Sequence, residues 1–348
     1  MASEYYYDLN GLVRVRSSFS LERLSPLRVD GLPASDLRIS RYSAGVPTGD
    51  RIGLYVWDEE DRTLTADFGP RVRAQLRVSD DGIDFSMTPL YRRFSEVDPI
   101  VQWSISHLIK RRGGFLLYAA AIARPEDEAI LIIGPPGSGK TTTAGLLARE
   151  WDCRLLAEDR VVVHDGTVHG VHEPIHLRRE SPLFIDRQPT EEDNSTLIEA
   201  VWPLVKRAYR AALSPGIRNL LSQIPARISP TDGRAAVPPS RIAPLARQAT
   251  LDVCLLLKPT SETVTVRSLD PAETIPRIST LNDWNPTTRH RFVATYVYLD
   301  SNARYSFSQA DETAVRNGLG DCPFYEINAP VDRFTRTIGT RFLESTPS

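Results

Sequence analysis

Eight consecutive residues, Gly134, Pro135, Pro136, Gly137, Ser138, Gly139, Lys140 and Thr141, match the spacing G-x-x-x-x-G-K-[ST] at every fixed position. Glycines at those places let successive backbone N–H groups converge on phosphate oxygens, an ammonium supplies charge to the β- and γ-phosphates, and a hydroxyl is available to Mg²⁺. Gly134 through Thr142 is therefore the expected nucleotide cradle, with Lys140 as its charge and Thr141 as its metal-binding hydroxyl. A later apolar run, "CRLLA", closes on Glu158 and Asp159. Ligands of α/β sheets sit beyond the carboxyl ends of strands. Two carboxylates there can divide the work, one holding Mg²⁺ and the other accepting a proton from an attacking hydroxyl. Adjacent residues of an extended strand point to opposite faces, so only one of the pair aims fully at a metal unless the chain turns there.

The elements that must position these groups follow from periodicity. Residues 1–95 carry short β-rich runs such as "LVRVRSS" and "RVRAQLRVSDDGIDFSM", punctuated by turn chemistry at Asp58 to Asp61 and at Asp80-Asp81-Gly82. They read as a β-rich N-terminal module. "SEVDPIVQWSISHLIKRRGG" has helical spacing with Arg111 and Arg112 in its last turn and a glycine stop. The apolar runs "FLLYAAAIA" and "AILIIG", separated by "RPEDE", read as a hairpin of buried strands leading into the glycine-rich loop. "TTTAGLLAREW" is the helix that the loop opens, "CRLLA" a strand close to the loop strand, and "RVVVHDGTVHGV" an Asp-Gly hairpin.

Further on, "TEEDNSTLIEAVWPLVKRAYRAALS" reads as an amphipathic helix, and the proline-rich "PARISPTDGRAAVPPSRIAPLA" as a long surface loop. "TLDVCLLLKP" is a buried strand, "RHRFVATYVYLD" fits helix or strand, and "CPFYEINAP" is a late strand before a terminal helix "VDRFTRTIGTRFLE". The domain reading is 1–95 for the N-terminal module and 96–348 for the phosphate-loop domain.

Composition narrows the partners. A formal net charge of -2 over 348 residues gives no basic field of the kind nucleic acid requires, and no nucleic-acid partner is expected. The run Tyr5, Tyr6 and Tyr7 reads as packing. No stretch approaches the ~18 apolar residues of a membrane span, and the start of the chain lacks a signal-peptide pattern. Three separated cysteines, Cys153, Cys254 and Cys322, suggest neither a disulfide framework nor a zinc site. The expectation is a soluble cytoplasmic protein without a membrane partner. His164, His169, His172 and His176 lie close in sequence but in no known ligand pattern, and read as surface or substrate-facing residues. Arg178, Arg179, Arg234 and Arg241 are candidates for neutralising transferred phosphate.

"LLYAAAIA", "ILIIGPPGSGKTTTAGLLAREWDCRLLAEDRVVV" and, more loosely, the later C-terminal region resemble the HPr kinase/phosphorylase family and its relatives, the phosphoenolpyruvate carboxykinase-like P-loop kinases. The resemblance implies an α/β (α+β) fold with a bent mixed sheet and a hairpin inserted after the acid pair. It implies Lys140 and Thr141 on phosphate and metal, Glu158 as the base and Asp159 as the Mg²⁺ carboxylate. This chain has Glu158 where the family has Asp, and Tyr118-Ala119 where bacterial enzymes have His-Gly, which removes the His tied to phosphorylase activity. The family's later metal-supporting Glu has Glu173, His176 and Glu180 in its neighbourhood.

The expectation is an ATP- and Mg²⁺-dependent phosphotransferase acting on a hydroxyl, by resemblance Ser or Thr of a small protein or peptide. A small-molecule hydroxyl acceptor, and a nucleotide-responsive binding protein that transfers nothing, are the alternatives. A homo-oligomer is compatible with the bacterial relatives' hexamers.

Overall fold

The computed structural model describes residues 4–95, 97–178, 181–183, 234–260, 263–283, 291–300, 309–320 and 322–344. Period-two alternation in "YYYDL" and "VRVRS" buries Tyr7, Leu9, Val13 and Val15 on one side of a strand pair. That pair belongs to a sheet of nine strands. They are β1 (Tyr5–Leu9), β2 (Val13–Ser17), β3 (Arg28–Val29), β4 (Leu37–Arg41), β5 (Asp50–Ile52), β6 (Tyr55–Asp58), β7 (Thr63–Asp67), β8 (Arg73–Ser79) and β9 (Gly82–Met87). They form one sheet in the order β3-β1-β2-β4-β9-β8-β7-β6-β5, parallel at β2/β4 and β4/β9 and otherwise antiparallel. The two acidic turns read from the sequence join β6 to β7 and β8 to β9.

Two helices follow, α1 (Pro89–Phe94), whose first turn is capped by the Thr88 side chain, and α2 (Asp98–Arg111). The core of this sheet extends beyond residue 95. Ile100, Trp103 and Ile105 of α2 pack into it, and so do Phe292, Val293 and Tyr296 of a helix at Arg291–Leu299. The 3–4 spacing of those three residues settles the helix-or-strand alternative in favour of helix. Arg62 clamps the end of that helix through Asp300 at 2.7 Å.

The second sheet is mixed and follows from the apolar runs after Gly114. β10 (Phe115–Leu117), β11 (Ala119–Ala123) and β12 (Glu128–Ile133) lead to the glycine-rich loop and α3 (Lys140–Glu150). Next come β13 (Arg154–Ala157), the hairpin β14 (Val161–His164) and β15 (Thr167–Gly170), and a ribbon of β16 (Ile175–Arg178) with β17 (Arg234–Val237). β18 (Gln248–Pro259), β19 (Thr265–Leu269), α4 (Pro271–Asp283), α5 (Arg291–Leu299), α6 (Gln309–Leu319), β20 (Phe324–Ala329) and α7 (Phe334–Ile338) complete it. The strand order is β10-β14-β15-β18-β12-β11-β13, with β20 on β18 and β19 on β20.

β10 and β11 are consecutive in sequence yet lie at opposite ends of that order, as do β13 and β14. The sheet therefore bends until its ends approach. Gly170 of β15 packs so closely on β13 that a Cβ there would stand 2.2 Å from the Leu156 carbonyl oxygen. The bend and the hairpin inserted after the acid pair agree with the sequence expectation. One detail differs: β11 intervenes between the loop strand β12 and the acid strand β13, because the hairpin β11/β12 pairs onward to β13 through its first strand.

Alternation assigns the faces. Phe115, Leu117, Ala121, Leu131, Val161, Val163 and Cys254 point inward with α4 and α6. Ala120, Ile122, Ile130, Ile132 and Leu255 point outward, where α3 and α7 cover them. Leu116 and Val162 also point outward but meet the N-terminal module instead. α3 and the N-terminal sheet thus share the outer face, with residue 118 and residues 158–160 at the seam between them. The amphipathic helix read at 190–214 lies outside the described residues. The reading of 225–246 as loop is corrected at Arg234–Val237, which pairs with Ile175–Arg178 as a strand.

Candidate phosphate-binding site

Gly137 and Gly139 sit at φ 82° and 90°, in the left-handed region that only glycine enters at no cost. At Gly139 a Cβ would also press to 2.9 Å from a Val331 methyl. Between them Ser138 is buried while Pro135, Pro136 and Gly137 are exposed. Ser138 N–H closes the turn onto the Pro135 carbonyl at 3.1 Å. Gly134 is packed so tightly on Ser138 and Leu257 that no side chain fits. The loop opens directly into α3, whose free N–H groups and positive dipole end face the same space.

Lys140 is 5 % exposed. Its Nζ donates to the carbonyls of Gly134 and Pro135 at 2.9 and 3.2 Å, and lies 4.6 Å from the centre of the Tyr118 ring. Burial pulls its pKa down, and Asp159 and Glu158 push it back up. Tyr118 occupies the link between β10 and β11, where the residue parity turns it outward beneath α3. Burial, and next the negative charge of Asp159, hold its phenol well above the ordinary range.

The Thr141 hydroxyl lies 3.2 Å from the Glu158 carbonyl oxygen and 3.2 Å from Glu158 Oε2. The acid pair is therefore split: Glu158 faces the loop hydroxyl, and Asp159 faces Tyr118 and Lys140. β13 ends at Ala157, so both acids lie where the chain leaves the strand. Burial first, then the charges of Asp159 and Glu173, push the Glu158 carboxyl up to about 8 from an ordinary 4.5.

Of the three residues near the family's later Glu, Glu173 is the one the described structure brings in. It is 8 % exposed and paired with Arg160, and it acts electrostatically on Glu158. Arg178 and Arg234 stand opposite one another on the β16/β17 ribbon, while Arg241 is exposed. Arg179 and Glu180 lie outside the described residues. Thr142 follows Thr141 in the first turn of α3.

Oxygen donors of this kind suit a hard cation. Mg²⁺ keeps several waters and takes one or two carboxylates together with substrate phosphates, and a hydroxyl beside a carboxylate under pressure from two further negative charges fits that demand. Among the described residues no three His, Cys, Asp or Glu side chains form a metal-holding group, the histidines included. The sequence reading missed a basic cleft of about 600 Å³ between β19 and the C-terminal helical segment, lined by Val264, Val266, Arg333, Arg336 and Arg341. Its only signal was the arginine spacing in "VDRFTRTIGTR", which reads first as the polar face of a helix.

No protein-family model matches the chain, and no curated protein matches it. The site therefore stands on its own geometry. Among the described residues no helix is long and apolar enough to cross a membrane.

Proposed function

We propose that this chain is an ATP- and Mg²⁺-dependent kinase of the phosphoenolpyruvate carboxykinase-like P-loop type, which passes the γ-phosphoryl group to a hydroxyl of a protein or peptide. The observation that carries the reading is the contact between the Thr141 hydroxyl and Glu158 at the mouth of a glycine-built phosphate loop. A loop of this spacing alone binds phosphate; a carboxylate meeting its terminal hydroxyl adds the groups that hold a metal against that phosphate.

The contact also leads us to exchange the roles that the resemblance implies. Thr141 and Glu158 would hold Mg²⁺, which when bound neutralises charge on the β- and γ-phosphate oxygens. Lys140 leaves its two loop carbonyls and pairs with the same phosphates. Asp159, whose charge acts on both Tyr118 and Lys140, takes the proton of the acceptor hydroxyl. An O–Pγ bond then forms, the bond from Pγ to the β–γ bridging oxygen breaks, and ADP departs with that electron pair.

The test is label transfer from γ-labelled ATP with Mg²⁺ into a source-cell extract separated into protein and small molecules. Lys140→Ala removes the loop's only ammonium and is expected to lower transfer by at least ~10²-fold. Label confined to the protein fraction with wild type supports the reading. Label confined to small molecules moves the acceptor class, and equal label from both proteins overturns the kinase reading. Tyr118→Phe keeps the ring beneath Lys140 and removes the hydroxyl from Asp159. Nucleotide affinity should then stay within about threefold while kcat falls roughly tenfold, the loss of a hydroxyl that can donate to a charged carboxylate being worth about 1.5 kcal/mol; equilibrium binding and initial rates check it.

A further inference from the structure

The basic cleft of about 600 Å³ has two unlike walls. One is β19 and its approach, where Val264 and Val266, two residues apart, share a face. Val266 packs against the outer-face core, while Val264 is 38 % exposed, an apolar side chain left open to water. The other wall is helical. Phe334 and Ile338 of α7 turn into the core, which leaves Arg333, Arg336 and Arg341 exposed along the cleft. Among the described residues no carboxylate lines it, and none of the three guanidiniums is in an ion pair.

Three positive charges without counter-ions call for an anion, and their layout says which kind. They are spaced three and five residues apart, so at ~1.5 Å per residue the row is roughly 12 Å long. A compact phosphate needs donors that converge, and the two threonines of the cleft, Thr337 and Thr340, give their hydroxyl protons to the Arg333 and Arg336 carbonyls instead. An extended peptide matches the row. Its side chains on one face recur about every 6.6 Å, so three alternate acidic residues span roughly 13 Å. β19 supplies the seat: it pairs with β20, and among the described residues the N–H and C=O groups of its far edge have no strand to meet. A nucleic-acid strand also carries spaced charge, but no aromatic ring lines the cleft for its bases to stack on.

We propose that this cleft is a docking site for an acidic peptide segment, which adds as a strand to the free edge of β19 while its alternate Asp or Glu side chains meet Arg333, Arg336 and Arg341. Those acids share the outer face with Val264 and Val266, which lie beneath their apolar stems. The guanidinium fork matches a carboxylate in two parallel bonds. The docking needs neither nucleotide nor metal, so it stands apart from the kinase reading.

The experiment uses the full chain without ATP and follows the fluorescence anisotropy of labelled peptides of about seven residues, long enough at ~3.3 Å each to pass the arginine row. A peptide of alternating Glu and Thr is expected to bind at least ~10-fold more tightly than an isomer with its glutamates in one block. It should exceed by a similar factor the same peptide N-methylated at two adjacent central residues, which removes an N–H from each edge. Arg336→Glu combined with Arg341→Glu loses two attractions and gains two repulsions, and should weaken binding roughly tenfold. That variant should bind a peptide of alternating Lys and Thr more tightly than wild type does, a gain that a damaged fold cannot produce. Binding of none of the peptides by wild type, or equal binding by the two proteins, overturns the site. Equal binding of the alternating, blocked and N-methylated peptides overturns strand addition. Oligothymidylate bound more tightly than the alternating peptide, or inorganic tripolyphosphate displacing it at equal concentration, overturns the peptide as occupant.

Discussion

Glu158→Gln will make the metal-free protein more stable above pH 8 and, on the proposed kinase reading, lower phosphoryl transfer. Glutamine keeps the length of the side chain and can still bond the Thr141 hydroxyl, but it cannot ionise. In the wild-type fold the carboxyl titrates at about 8 instead of 4.5, chiefly because it is buried and secondly because Asp159 and Glu173 stand near it. The sign follows from the proton balance. A carboxyl whose pKa is raised by folding holds its proton in the native state after the unfolded chain has lost it. Its favourable contribution is full below pH 4.5, declines as pH rises, and is gone above about 8. The whole span is at most on the order of 5 kcal/mol.

The melting temperature of the variant minus that of wild type, measured with a metal chelator present, should therefore climb between pH 5 and 8 and level off above. Mg²⁺ with ATP should raise the melting temperature of wild type much more than that of the variant, since only the carboxylate can meet the cation. Transfer should fall by ~10²-fold or more. A flat difference across that pH range would show that Glu158 is ionised without cost, and retained transfer would remove it from the metal's neighbourhood.

What the sequence made legible divides along the range of the interactions. The candidate phosphate loop is local: glycines where positive φ is needed, Lys140 and Thr141 at fixed distance along the chain, and a strand and helix on either side, so spacing alone points to it. The position of Glu158 and Asp159 at a strand end is nearly as local. Their separate roles were not, because β13 has already ended at Ala157 and alternation no longer dictates which carboxylate faces Thr141. Arg160, beside them in sequence, looks like their natural ion-pair partner, yet it turns to Glu173, a residue brought in by the hairpin β14/β15.

Tyr118 carried no signal as a neighbour of Lys140, since it joins two strands that the sheet order sends to opposite ends. The strand Arg234–Val237 was hidden among prolines and small residues, and only pairing with Ile175–Arg178 gives it its conformation. The seam between the N-terminal module and α3 depends on the bend of the sheet, which no single segment encodes.

That bend can be tested at one atom, and the effect should be large. Gly170→Ala should lower the melting temperature by roughly 4 °C, the expected result of about 3 kcal/mol of overpacking in a chain of 348 residues. The cause is contact. The added carbon would meet the Leu156 carbonyl oxygen at 2.2 Å and the Ala246 carbonyl oxygen at 3.1 Å, and backbone atoms cannot turn aside as a flexible side chain does. Either β15 or β13 has to move. β15 is tethered, because its Gly170 carbonyl accepts from Asn10 Nδ2 of the N-terminal module at 3.1 Å and its N–H bonds the Arg247 carbonyl at 2.8 Å.

β13 is held too, by β11 and by the Leu155 bonds to Pro244 and Ala246, but it carries Leu156, whose carbonyl oxygen is struck, and leads into Glu158. A displacement near 1 Å at a reacting group costs on the order of 10²-fold in rate. Transfer should therefore drop in Gly170→Ala even at temperatures where the protein is fully folded, as judged by circular dichroism. Gly31→Ala, where an added carbon meets nothing within 4 Å, is the matched control and should change neither quantity. Equal melting temperatures and equal rates for the two variants would mean that the close approach of the sheet's ends does not position the acid pair. A fall in stability with the rate preserved would place the yielding strand at β15 instead.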